Sequence, residues 1–286
     1  MSGGDIKKIK IMKIFYQWTK GSYTSIPVYK LAKEYWIPEE NILWTEENFT
    51  EIWKKIKKED WAIWILPIEN SYAWMVHENL FNFLHFDFKI IWEVEVQVNH
   101  CLLSKEKNIS DVKTVYSHYQ ALNQVFNFCT KNNIQREVSI DTAFAAKMVS
   151  ESDESWIWAI ASREAWELFW LNILEEWIQD QDWNRTRMFV VVKKDSDFNL
   201  DKKALKNKIS ILLELKDKPS ALYNCLWCFV KNDLNLTKIE SMPNPDDPFN
   251  YLFCIDFEWK LSDEKVDNMF NELDFFTEDV KILWEY

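Results

Sequence analysis

The chain has 286 residues, with 34 lysines and arginines against 46 aspartates and glutamates for a net charge of -12. That length allows one large or two ordinary domains able to bury a core without disulfides or metals, and the negative balance argues against nucleic acid or an anionic membrane as the main partner. The chain opens Met-Ser-Gly-Gly-Asp and has no long apolar segment, so neither a signal peptide nor a membrane span is expected and the default location is cytoplasmic.

From Lys10 to Lys194, short β-rich apolar runs alternate with segments of helical period. Strands are predicted at 11–16, 62–66, 89–103, 112–117, 138–140, 157–161 and 188–192. Helices are predicted between them at 26–35, 49–58, 76–84, 120–130, 143–149 and 163–169. Such alternation implies a mostly parallel α/β sheet with helices on its faces, and ligands of such sheets bind at the carboxyl ends of strands. Residues 195–208 are charged, lack an apolar period and read as a linker. From 209 to 286 the order is strand (209–215), helix (220–231), strand (234–239), strand (251–257), helix (262–273) and strand (280–283). That βαββαβ order is the ferredoxin-like pattern. Leu222, Leu226 and Phe229 are predicted to share the buried face of its first helix, and Val266, Phe270 and Leu273 that of its second, with Ser262 as cap.

The five cysteines are scattered through apolar contexts, which suits a reducing compartment, and Cys225-Leu-Trp-Cys228 falls in mid-helix, where packing is the expected role. The four histidines lack metal-ligand spacing, so no metal site is predicted.

Four motifs carry chemistry. Thr186 and Arg187, in Ile178-Gln-Asp-Gln-Asp-Trp-Asn-Arg-Thr-Arg-Met-Phe189, set a hydroxyl beside a guanidinium at the mouth of a buried strand, where together they can grip a carboxylate and offer a proton. Upstream come Leu66-Pro-Ile-Glu-Asn-Ser71, Val115-Tyr-Ser-His-Tyr-Gln-Ala-Leu122 and Asp141-Thr-Ala-Phe-Ala-Ala146, in which Glu69-Asn70-Ser71, His118 and Thr142 each follow a predicted strand. Together, in this order, they resemble the prephenate dehydratase family. Ser220-Ala-Leu-Tyr223 and Glu240-Ser-Met-Pro243 resemble the two phenylalanine-site motifs of the ACT domain that follows the dehydratase region in that family.

The resemblance implies a periplasmic-binding-protein-like catalytic domain over 10–194, two parallel-sheet lobes around a cleft, with lobe crossings near 100–104 and 180–190. It also implies an ACT domain over 209–286. The implied reaction converts prephenate to phenylpyruvate by loss of carbon dioxide and water, with no cofactor, on the way to phenylalanine. Arg187 is expected to pair with a substrate carboxylate and Thr186 to hydrogen-bond the departing hydroxyl. Asn70, Ser71, Gln120 and Thr142 are expected to supply neutral donors, organised by Glu69 and His118. Asn70, Ser71, Thr142 and His118 also read as helix caps. Phenylalanine is the expected effector, at Ser220, Ala221, Leu222, Glu240 and Ser241. The family usually carries glycine in place of Ser220 and arginine in place of Met242, so the expected effector site departs from the family pattern at two positions. Arogenate dehydratase and a binding protein without catalysis are the alternatives. Only about ten residues precede the first strand, so no chorismate mutase segment is expected. ACT domains commonly pair at sheet edges, so a homodimer or dimer of dimers is expected.

Composition adds one anomaly. The chain has 3 glycines and 17 tryptophans, where ordinary usage of about 7% would give roughly 20 glycines. Trp18, Trp64, Trp74, Trp170, Trp259 and Trp284 stand where similar sequences carry glycine. The expectation is that many of these codons are read as glycine in the source organism.

Overall fold

A computed structural model describes residues 12–45, 48–59, 61–107, 112–154, 156–198, 207–247, 250–261 and 263–285. In chain order the elements are β1 (Lys13–Gln17), α1 (Ser25–Glu34), β2 (Ile42–Thr45), α2 (Phe49–Ile56), β3 (Ala62–Asn70), β4 (Trp74–Met75), α3 (His77–His85), β5 (Phe88–Gln97), β6 (Cys101–Ser104), β7 (Thr114–Ser117), α4 (Tyr119–Gln124), α5 (Phe126–Lys131), β8 (Gln135–Val138), α6 (Thr142–Glu151), β9 (Ile157–Ala161), α7 (Arg163–Phe169), β10 (Asn172–Glu175) and β11 (Arg185–Lys193). There follow β12 (Lys208–Leu215), α8 (Ala221–Lys231), β13 (Leu236–Pro243), β14 (Tyr251–Glu258), α9 (Glu264–Leu273) and β15 (Thr277–Glu285). The chain forms two compact units, each built from two stretches of sequence. One runs up to Val76 and resumes over Val94–Met188; the other joins His77–Glu93 to the chain from Phe189 onward.

The first unit holds two sheets. One has the order β2-β1-β3-β11-β5 with β4 on β3, and β11 and β5 enter this unit through residues 185–188 and 94–97. Its β1 runs parallel to both neighbours, and residues 62–66 of β3 are all buried, as expected of a strand covered on both faces. On α2, Phe49, Ile52, Trp53 and Ile56 recur at helical spacing and are buried, and the Asn48 side chain caps the helix by accepting from the Glu51 N–H at 2.9 Å. The other sheet has the order β10-β6-β9-β7-β8, with β7 parallel to β8 and β9, and β6 antiparallel to β9 and β10. Its central strand β9 is buried throughout.

The second unit carries the antiparallel sheet β13-β14-β12-β15 in the βαββαβ chain order. Ile209, Ile211, Leu213, Ile255 and Phe257 form one core with Cys225, Cys228 and Phe229 of α8 and Val266, Met269 and Leu273 of α9. Within this unit the buried Lys208 ammonium lies 3.1 Å from Glu93 and 3.9 Å from Asp256.

Several elements differ from expectation for local reasons. The apolar run 89–103 breaks into β5 and β6 around Asn99 and His100, whose polar groups serve the loop rather than a ladder. The helix expected over 120–130 is two short helices, α4 and α5, joined at Val125. On α8 the buried face is Ala221, Cys225, Cys228 and Phe229, while Leu222 is exposed: the apolar stripe lies one residue from the expected one. The cap expected at Ser262 lies outside the described residues, as does most of the expected linker; Asp263 caps α9 by accepting from the Lys265 N–H.

Candidate active site

A cavity of about 290 Å³ in the first unit is lined by residues that follow strands of both its sheets. Gln17 and Trp18 come from the end of β1, Glu69 and Asn70 from the end of β3, and His118, Gln120 and Gln124 from the turn after β7 and the helix it starts. Asp141 and Thr142 open α6, and Thr186 and Met188 come from β11. The carboxyl ends of the parallel strands therefore supply most of the wall, as the topology rule requires.

Six polar side chains run as one hydrogen-bonded series across this unit. The Tyr23 hydroxyl meets His100 Nδ1 at 2.9 Å, and His100 Nε2 lies 2.8 Å from Gln124 Oε1. Gln124 Oε1 also accepts from the Asn184 amide. Asn70 Nδ2 donates to Asn184 Oδ1 at 2.8 Å and to Thr186 Oγ1 at 3.0 Å. Burial pulls the His100 pKa down to about 4 and pushes the Tyr23 phenol well above its usual value, so both are neutral near pH 7. Asn70 Oδ1 is engaged in turn by the Tyr72 and Ala73 N–H groups, which fixes the amide's orientation. With its amide donating into Thr186 Oγ1, the hydroxyl proton of Thr186 is left for a ligand in the cavity.

Among the described residues, the wall carries two carboxylates, two histidines and no lysine or arginine. Glu69 is neutralised by Arg187, whose Nη2 lies 3.0 Å from Oε2, and Asp141 accepts from the Phe144 N–H at 2.7 Å as the cap of α6. Burial lowers the His118 pKa, against a weaker opposing pull from Asp141. An anion here is met by amides, hydroxyls and helix N-termini: α6 starts on the wall, and Ser22, Tyr23 and Thr24 lead into α1.

Of the sequence-predicted residues, the cavity gathers Glu69, Asn70, His118, Gln120, Thr142 and Thr186. Arg187 and Ser71 are not among the residues lining it. Strand alternation explains Arg187: Thr186 and Met188 point one way, so Arg187 points the other, and it meets the cavity wall at Glu69. Ser71 accepts from the Arg185 N–H at 2.8 Å and so secures β11 beside the Asn70 turn. His118 is the side-chain cap of α4, accepting from the Gln120 N–H, whereas the cap of α6 is Asp141 and not Thr142. The effector candidates lie in the second unit. Ser220, exposed, precedes α8; Ala221 and Leu222 open that helix; Glu240 and Ser241 lie on β13. Glu240 pairs with His77 Nε2 at 3.3 Å.

Sequence reasoning missed Ser22, His100, Gln124 and Asn184. Ser22 is 4% exposed, its hydroxyl has no hydrogen-bond partner among the described residues, and it lines the cavity, so a ligand oxygen would satisfy it. The signal was Gly21-Ser22 in the loop after β1. Gly21 has φ +93°, and a Cβ there would meet Leu168 Cδ2 at 3.3 Å.

The family model described as prephenate dehydratase matches residues 14–197. The chain is 38% identical over 224 residues to the prephenate dehydratase of Methanocaldococcus jannaschii, covering 78% of this chain and 80% of that one. It is 35% identical over 232 residues to arogenate dehydratase/prephenate dehydratase 2 of Arabidopsis thaliana, a match over 78% of this chain that spans only 60% of the plant protein's length. The solved prephenate dehydratase of Arthrobacter aurescens in complex with L-Phe shares the fold at a TM-score of 0.82 and 22% identity, over 96% of this chain and 89% of that one.

Proposed function

The chain belongs to the prephenate dehydratase family, and we propose that its first unit converts prephenate to phenylpyruvate in a cleft between two lobes. Prephenate carries two carboxylates and a ring hydroxyl. When the ring carboxylate leaves as carbon dioxide, its electron pair moves through the ring to expel hydroxide, and one proton taken up by the leaving oxygen completes water. Aromatisation supplies the driving force, so the protein has mainly to orient a dianion and assist the leaving oxygen.

The Asn70–Thr186 hydrogen bond carries the reading, because it aims the threonine proton into the cavity. Thr186 hydrogen-bonds the departing hydroxyl, and its contribution is positioning and polarisation, since a threonine is a weak acid. Thr142, Gln120, Ser22 and the start of α6 hold the carboxylates and keto group. Arg187 acts one step back, cancelling the charge of Glu69 so that the wall does not repel the dianion.

The arogenate reading has support in the Arabidopsis relative's name. Arogenate bears an ammonium in place of the keto group and calls for a spare carboxylate. Both wall carboxylates are already engaged, Glu69 by Arg187 and Asp141 by Phe144, which favours prephenate.

The second unit, in this reading, is an ACT domain that binds phenylalanine near Ser220–Leu222 and Glu240–Ser241 in a homodimer or dimer of dimers. The βαββαβ order and the L-Phe in the Arthrobacter complex support it. The test is phenylpyruvate formation from prephenate by the folded chain, with Thr186→Ala and arogenate run alongside, and with phenylalanine added. The reading requires prephenate turnover that falls at least about tenfold in the variant, roughly 1.4 kcal/mol of barrier. Equal rates remove Thr186 from the mechanism, and a flat response to millimolar phenylalanine removes the effector.

A further inference from the structure

Eight described residues other than glycine have a left-handed backbone: Trp18, Trp36, Trp74, Asn133, Trp170, Trp177, Ser220 and Asp233. Tryptophan makes up 17 of 286 residues yet takes five of these eight positions. L-residues with a Cβ avoid this region, and those that enter it are mostly asparagine and aspartate, whose short polar groups bond locally.

Four helix ends make the comparison internal. After α1, α5, α7 and α8 the chain turns through a left-handed residue, and the next N–H reaches back five residues: Ile37 to Ala32, Ile134 to Cys129, Leu171 to Trp166 and Leu234 to Phe229. This closure favours glycine, with asparagine an accepted substitute. The left-handed positions are filled by Asn133 and Asp233 in two cases and by Trp36 and Trp170 in the others. Packing does not account for the indoles there. Trp36 is 92% exposed, Trp170 91% and Trp74 80%, so these large apolar groups stand in water where they contribute no burial. Inside the protein, the indole N–H groups of the buried Trp64 and the half-buried Trp166 have no hydrogen-bond partner among the described residues.

We propose that positions 18, 36, 74, 170 and 177 are glycine in the protein as its own cell makes it, a codon written here as tryptophan being read there as glycine, and that glycine at 18 and 74 belongs to the working form of the cavity. Position 18, with φ 75°, follows β1 on the cavity wall, where an indole takes space that a bare backbone leaves to the ligand. Position 74, with φ 69°, pairs with Asn70 across the tight turn whose N–H groups fix the Asn70 amide. Relief of strain at 74 therefore acts on the amide that orients Thr186. This second half rests on the proposed dehydratase reading; the first half does not.

Peptide mass spectrometry of the protein from its native cell decides the first half: glycine at 36, 74 and 170 is expected, and tryptophan there overturns the proposal. An independent reading comes from the chain as written beside one carrying Trp18→Gly, Trp36→Gly, Trp74→Gly, Trp170→Gly and Trp177→Gly. The five-glycine chain is expected to melt higher by on the order of 10 °C, and an equal or lower melting temperature counts against the proposal whatever either chain does with prephenate. For the second half, Trp18→Gly and Trp74→Gly together are expected to raise kcat/KM for prephenate at least tenfold over the written chain, while Trp36→Gly with Trp170→Gly raises only the melting temperature. Equal kcat/KM in the two pairs removes positions 18 and 74 from the cavity's function and leaves the mass-spectrometric result standing.

Discussion

Asn70 donates to Thr186 Oγ1 at 3.0 Å, across 116 positions of sequence. The direction of that bond matters more than its existence. Asn70→Asp keeps an acceptor for the Tyr72 and Ala73 N–H groups but turns the partner of Thr186 from a donor into an acceptor. The threonine proton is then drawn away from the cavity. Steady-state kinetics should show kcat for prephenate falling at least about tenfold, roughly 1.4 kcal/mol, and the melting temperature falls as well because the carboxylate also faces Asn184 Oδ1 and the Arg185 carbonyl. Full kcat in this variant would mean that residue 70 does not direct the hydroxyl.

Arg187 and Glu69 make a second, separable claim. Arg187 is 9% exposed, so Arg187→Met leaves Glu69 uncompensated beside the cavity, at an expected cost of about 2–3 kcal/mol in chemical denaturation, below the range for fully buried pairs because Glu69 keeps some solvent. If the arginine acts by neutralising the wall, KM for the dianion rises more than kcat falls, and adding Glu69→Gln restores much of the KM. A double variant as poor as the single would show that Arg187 grips substrate itself.

Acid sensitivity follows from His100. Its pKa in the folded chain is about 4, against a usual value near 6.5, so the unfolded chain binds the extra proton first. The neutral, buried imidazole therefore stabilises the fold in full above pH 6.5, and that contribution is lost as pH falls from 6.5 towards 4, on the order of 3 kcal/mol in all. His118, also lowered by burial, adds in the same direction. Urea midpoints at pH 7.5 and 5.0 should drop further for the parent than for His100→Gln; parallel drops would place the acid sensitivity elsewhere.

All five cysteines are buried as free thiols, and burial pushes the pKa of Cys101 and Cys225 up to about 12 and that of Cys129 up to about 11. A disulfide-exchange reagent at pH 8 should find less than one fast-reacting thiol in the native chain and five after denaturation. Rapid reaction at Cys225 or Cys228 would overturn the packing role of that pair.

The alternation of strand and helix was legible because apolar runs covered on both faces and amphipathic helices leave different periods. The cavity was half legible. Asn70, His118 and Thr142 sit in recognisable motifs at or just after strand ends, so their shared neighbourhood follows from the topology rule, whereas Thr186 lies at the start of β11. His100 and Gln124 lie outside the four motifs and Asn184 is one of several polar residues inside one, and only the folded chain shows that one ring and two amides complete a series. For Arg187 the sequence offers a guanidinium next to Thr186, and the alternation of a strand puts neighbouring side chains on opposite faces, so its pairing with Glu69 rather than a place in the cavity lining is a matter of register. On α8 the expectation favoured leucines over cysteines, although Ala221, Cys225 and Cys228 follow helical spacing equally well.

The second unit joins residues 77–93 to the chain from 189 onward, and within it Leu80, Phe83, Phe88, Ile90 and Ile91 are buried. On a ribosome these residues emerge before residues 94–188, and at about 5–20 residues per second roughly 5–20 s pass before their partners are made. Through that interval the nascent chain carries five large apolar side chains with no home. The order in which the gene spells the fold thus creates a window in which a chaperone, or a neighbouring nascent chain, competes for the same surface as the finished protein.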